Sequence, residues 1–250
     1  MTPRLSRSLV GLFVCLLAAG AARAGTLPRT LGYSFYVQGE PAGRSDIKIT
    51  QTAKEVIFES QTRALSGFSV LALTSRTVAD PKTYAARDFS YHGTKGDHTV
   101  SCEAHVRSDS AYGFTETDGA LKERNLKMRE PRTVLFEDWV MDHEILLALT
   151  QAQSKQKTDT YGMLFTSSFT PASVTMGYSG DVLVEAGSHS MTARKLIVII
   201  QGAEPFESHV DAVRGIPVYI RFPESRTEVF LDEIFGENPV TYYQPNEKKQ

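Results

Sequence analysis

Asp142-His143-Glu144, with Asp138 one helical turn earlier, is the densest group of acid–base and metal-ligating side chains in the sequence. A carboxylate pair flanking an imidazole offers the donor types that a divalent cation takes, yet a metal site draws its ligands from a second cluster as well. No second cluster at ligand spacing accompanies this one, so the stretch reads as the solvated polar face of a helix, opposite Met141 and Ile145. His98 and His105 are seven residues apart, which puts them on opposite faces of one strand and makes them poor co-ligands. Gly177-Tyr-Ser-Gly180 lacks the Gly-x-Ser-x-Gly spacing that exposes a hydrolase nucleophile and reads as a hairpin turn. Gly-x-Gly-x-x-Gly, a phosphate-binding loop and His-Glu-x-x-His are all missing. No catalytic residue, metal ligand or cofactor is assigned.

The elements around these residues are mostly strands. Leu31, Tyr33, Phe35 and Val37 alternate with Gly32, Ser34, Tyr36 and Gln38, the period of a half-buried strand. Gly39-Glu40-Pro41-Ala42-Gly43 reads as a turn into a second strand through Ile47 and Ile49. Further strands are expected at Glu55–Arg63, Ser69–Val78, Ala85–His92, His98–Arg107 and Ala111–Thr117. Asp138–Lys155 has no Gly or Pro and carries Met141, Ile145, Ala148, Leu149 and Ala152 at helical spacing. Trp139, Val140, Leu146 and Leu147 widen its apolar surface, so this helix is expected to lie against a sheet or across a groove rather than on open solvent. Strands resume at Met163–Phe169, Gly180–Glu185, Ser190–Gln201, Pro217–Pro223 and Arg226–Leu231. Leu196-Ile-Val-Ile-Ile200 is apolar at successive positions, as in a strand covered on both faces.

Many short strands with one apolar face need a second sheet or closure around an interior. The expected fold is mainly β (α+β): a strongly curved antiparallel sheet, or half-barrel, with one long helix against its concave face. Residues 25–237 form one such domain, followed by a polar tail over 238–250; a two-domain chain would divide near Lys127–Thr133, where Pro131 sits among charges.

The first 24 residues place the chain. Arg4 and Arg7 precede an apolar run over Leu9–Ala22, and Ala22-Arg23-Ala24 supplies small residues where a signal peptidase reads, so residues 1–24 read as a cleaved secretory signal peptide. The run falls short of the roughly 20 apolar residues that span a bilayer. The chain's net charge of −2 becomes −5 once Arg4, Arg7 and Arg23 are removed, which gives no electrostatic support for a nucleic-acid partner. Cleavage also removes Cys15 and leaves Cys102 alone, with Val100, Ala104 and Val106 on its face, so it reads as a small buried hydrophobe. The mature protein is expected to be soluble and periplasmic, with no stable membrane span.

Tyr33-Ser-Phe-Tyr-Val-Gln-Gly-Glu-Pro-Ala-Gly43 at the start, and Arg194-Lys-Leu-Ile-Val-Ile-Ile200 with Gly215-Ile-Pro-Val-Tyr-Ile-Arg-Phe222 near the end, resemble an uncharacterised exported bacterial family, domain of unknown function 3108. In place of that family's Trp and acidic pair before the closing Pro, this chain has Val210-Asp-Ala-Val-Arg214, and its single Trp is Trp139. The resemblance implies a half-barrel similar to periplasmic lipoprotein and lipid carriers, with a lipid-sized concave face and no catalytic residue.

One helix has limited mass to fill a curved sheet, and an unfilled apolar interior is where an acyl chain would bind. Tyr33, Phe35, Phe58, Phe89 and Phe222 fall on interior strand faces, and Trp139 and Leu146 on the helix. These seven are the expected ligand-binding residues of a carrier-like protein holding a hydrophobic or lipid-like ligand. The alternative is a non-enzymatic structural or interaction module that meets a cell-envelope protein partner.

Overall fold

Alternating apolar and polar side chains specify strands through most of the chain, and these strands hydrogen-bond into a single sheet. A computed structural model describes residues 27–66, 69–107, 109–128, 133–154, 156–186 and 188–236. The expected signal peptide and polar tail lie outside the described residues. The first strands are β1 (Thr30–Val37), β2 (Glu40–Gln51), β3 (Val56–Ser66), β4 (Ser69–Ala79) and β5 (Ala86–Lys95). There follow β6 (His98–Val106), β7 (Ser110–Thr117), β8 (Ala120–Lys127) and β9 (Thr133–Phe136), then helix α1 (Met141–Gln153). The second half holds β10 (Thr158–Phe165), β11 (Thr170–Ala186), β12 (His189–Ile200), β13 (Phe206–Asp211), β14 (Pro217–Phe222) and β15 (Thr227–Leu231), with the short α2 (Asp232–Phe235).

The sheet order is β8-β7-β6-β5-β4-β3-β2-β1-β15-β14-β13-β12-β11-β10-β9, so β1 and β15 join the two halves. Among the described residues every pairing is antiparallel except β9 with β10, which are parallel. A parallel pair needs a crossover, and α1 is that crossover. The sheet curves until β9 packs against β5, and the Cys102 thiol of β6 donates to the Thr166 carbonyl just past β10. The sheet does not close: β8 and β9 remain its edges. This is the expected curved sheet with its helix inside.

Local differences from the sequence reading have physical causes. The first hairpin turns at Gln38-Gly39, both at positive φ, and Glu40–Gly43 already belongs to β2. Gly177–Gly180 is not a hairpin turn; it lies within β11, and the register shift between Tyr178 and Gly180 marks a bulge that bends this long strand. Ile199 is 55% exposed, so β12 is covered on one face only. On β1 the second face is also buried, since Tyr36 packs with Tyr219 and Phe230 beneath Phe235 of α2. Strands β8, β9 and β13 went unread because β8 is charged at alternate and adjacent positions, β9 has four residues, and β13 mixes Glu207, Ser208 and His209.

The largest correction concerns α1. Its polar residues do not face solvent: Asp142 and His143 are 0% exposed and Glu144 is 5% exposed. The helix runs through the interior, and every residue from Met141 to Gln151 is buried.

Candidate functional site

The site begins in the turn that feeds α1. Strand β9 ends at Phe136, and the Val140 N–H bonds back to the Glu137 carbonyl at 3.3 Å. Trp139 occupies the left-handed region within this turn, at φ 67°, a conformation that costs a bulky side chain about 1–3 kcal/mol and persists only where its surroundings hold it. What holds it is Phe35 of β1, whose ring meets the indole edge to face at 5.3 Å and 85°.

Beside this pair lies a cavity of about 260 Å³. Its apolar walls are Phe35 from β1, Phe136 from β9, Trp139 and Met141 at the start of α1, Ile200 from β12, Phe222 from β14 and Val229 from β15. The pairing Phe35↔Val229 across β1 and β15 brings two of these walls side by side. Exposed Asp138, Ala203 and Ser225 form the mouth. Glu144 lines the cavity from the first turn of the helix, and its Oε2 is buried without a hydrogen-bond partner. Burial pushes the Glu144 carboxyl well above the usual carboxylate range, and Asp142 and Asp138 add to the rise. Glu204 also lines the cavity; its Oε1 accepts the backbone N–H groups of Glu224 and Ser225.

Trp139 and Asp138 also border a second cavity of about 530 Å³ on the other side of the turn. Its lining is polar, with Lys95, Lys122 and Arg124 among Glu116, Glu137 and Asp138. Glu137 Oε2 accepts from the Thr166 hydroxyl at 2.5 Å and the Ser167 N–H at 2.6 Å, yet burial still pushes this carboxyl up to about 7.

Consecutive helical residues point about 100° apart, so Asp142, His143 and Glu144 reach three different walls. Asp142 meets the hydroxyls of Ser60 on β3 at 3.3 Å and of Ser75 and Thr77 on β4, Ser75 at 3.5 Å. Ser60 and Ser75 are themselves cross-strand partners, 2.5 Å apart. Burial raises the Asp142 carboxyl to about 6 despite these donors. His143 packs against Phe89 of β5 with the rings tilted by 56° and 4.5 Å between centroids, and neither ring nitrogen has a partner. Burial alone holds its pKa down to about 3, so the imidazole is neutral. Glu144 faces the cavity. This divergence is why the three cannot converge on one ion.

Of the seven expected ligand-binding residues, the structure brings Phe35, Trp139 and Phe222 together on the 260 Å³ cavity. The other four sit in the packed interior. The Tyr33 hydroxyl donates to the Pro217 carbonyl at 2.9 Å, Phe58 and Phe89 are buried on β3 and β5, and Leu146 is buried on α1. Sequence reasoning missed Phe136, Met141, Ile200, Val229 and above all Glu144. A carboxylate on a helix is usually solvated; the signal against that was the apolar surface of α1, too wide to leave a polar face.

The fold is that of a β-barrel-like protein. Among solved structures, the chain is similar to the crystal structure of a β-barrel-like protein of domain of unknown function DUF1849 from Brucella abortus, with a TM-score of 0.55 and 12% identity over 82% of this chain and 95% of that one. It is also aligned, at a TM-score of 0.44 and 12% identity, with a DUF1089 family protein from Pseudomonas aeruginosa over 72% of this chain and 90% of that one. No protein-family model matches the chain, and no curated protein does. Among the described residues, no helix is long and apolar enough to cross a membrane.

Proposed function

We propose that this chain is an exported, periplasmic carrier-like protein, and that the cavity at the start of α1 holds a hydrophobic or lipid-like ligand. The resemblance of its two ends to domain of unknown function 3108 and the signal-peptide pattern of residues 1–24 support export and the carrier-like reading. The observation that carries the binding reading is the cavity itself. It has mostly apolar walls from β1, β9, β12, β14, β15 and the helix start, and it opens to solvent beside a tryptophan held in a strained conformation.

Strand addition by an envelope partner fits less well, because the β8 edge carries Lys122, Glu123, Arg124 and Lys127, charges of the kind that guard edges against pairing. Trp139, the chain's single tryptophan, reports directly on cavity occupancy. Titration with n-octanol should shift its emission saturably, and native mass spectrometry of gently purified protein should show a bound apolar molecule. Reproducibly empty protein whose emission octanol leaves unchanged would refute the proposal.

A further inference from the structure

We propose that the ligand of this cavity carries a protonated amine head on a short apolar tail, and that Glu144 is the group that holds the ammonium. The inference rests on the binding reading of the cavity and adds the head-group chemistry. Three acidic side chains line the cavity, Asp138, Glu144 and Glu204, and among the described residues no Lys, Arg or His does. No cationic side chain on these walls offsets an anionic head, whereas an ammonium brings the buried Glu144 carboxyl the opposite charge that favours its ionised form. Glu204 is already engaged by two backbone N–H groups. Asp138 stands exposed at the mouth, within reach of the field of Lys95 from the neighbouring cavity. Of these three, Glu144 is both buried and unpartnered at Oε2, an arrangement that is costly in the free protein and that an N–H donor from a ligand relieves.

The remaining walls suit the tail beyond the nitrogen. Phe35, Trp139 and Phe222 offer aromatic surface, which attracts cations as well as methylenes. At roughly 30 Å³ per water-sized group, 260 Å³ accommodates about nine such groups, the size of a C8 amine.

The test compares n-octylamine, n-octanol and octanoate by Trp139 fluorescence at neutral pH, on the wild type and on Glu144→Gln, with far-UV circular dichroism to confirm folding. Octylamine should bind about tenfold or more tighter than octanol, the worth of one charge-assisted hydrogen bond, and Glu144→Gln should bring the ratio of the two affinities down toward one. If Glu144→Gln does not fold, Glu144→Asp, which withdraws the carboxyl by one methylene, makes the same comparison. Equal binding of the three probes would overturn the amine assignment and leave the apolar reading standing. Tightest binding by octanoate would overturn it too. Failure of all three to bind would bring down the cavity reading as well.

Discussion

Replacing Asp142 with Asn should remove a pH dependence of stability that the wild type carries. Asp142 is fully buried and receives the hydroxyls of Ser60, Ser75 and Thr77, yet burial raises its carboxyl from an ordinary value of 3.8 to about 6. The folded state therefore binds this proton more tightly than the unfolded chain. The stability that comes from protonation is fully present below the unfolded value and is lost as pH rises through the folded one. A gap of about two units corresponds to roughly 3 kcal/mol, at ~1.4 kcal/mol per unit. Asn does not titrate, so the variant's stability relative to wild type should rise by about 2 kcal/mol between roughly pH 4.5 and 6.5 and stay level above. A pH-independent offset of about 1 kcal/mol is expected from the altered hydrogen bonds, because the amide places a donor where hydroxyls had an acceptor. Urea midpoints of both proteins at several pH values, with unchanged m, measure the difference. A constant offset, or a relative stability that falls with rising pH, would show that the carboxylate is ionised in the fold without penalty and would refute the claim that burial governs the polar residues of α1.

His143→Phe tests the opposite sign. Its folded pKa of about 3 lies below the ordinary 6.5, so stability from the neutral ring is lost as pH falls below 6.5, and the Phe variant should gain about 2 kcal/mol relative to wild type by roughly pH 5, read from the same urea series. Leu146→Ala should cost about 2–5 kcal/mol because it opens a void in packed interior. Phe222→Ala should cost less in the ligand-free protein, since that ring already borders a cavity, while weakening octanol binding. Equal thermal destabilisation by both variants would count against Phe222 as a cavity wall. The Cys102 thiol is buried, donates to Thr166, and is held above its usual pKa by desolvation and the nearby Glu137 and Glu103. Thiol reagent should label native protein slowly and unfolded protein fast, with Cys102→Ala leaving ligand binding intact.

The sheet was legible because its strands alternate. Leu31 to Val37, Val100 to Val106 and Pro217 to Phe222 show period two or apolar runs, and the sequence expectation of a curved sheet with one interior helix matches the fold. Strand β8 escaped because an edge needs no apolar face, and β11 was cut in half because glycines at 177 and 180 mimic a turn where they serve a bulge. The cavity was half legible. Alternation assigns aromatic residues to an inner face, but it does not distinguish Phe35 and Phe222, which border space, from Phe58 and Phe89, which do not. That distinction depends on which strands the helix covers, a long-range property set by register and by the β9–α1–β10 crossover.

The buried polar trio explains where the helix sits. An apolar helix inside an apolar half-barrel could rotate or slide at small cost, because hydrophobic burial is non-directional. Asp142 removes that freedom: its hydroxyl partners are Ser60 on β3 and Ser75 and Thr77 on β4, all buried on the inner face of those two strands. Once Asp142 is fixed, the 100° step of the helix sends His143 to Phe89 and Glu144 toward β1, β14 and β15. The turn at Glu137–Val140 then has to join β9 to a helix whose start is already set, and the strain at Trp139 is where that constraint appears. Glu144 is thus aimed into the cavity by a hydrogen-bonded anchor two residues away, so variants at Ser60, Ser75 or Thr77, none of which lines the cavity, should weaken the preference for octylamine over octanol.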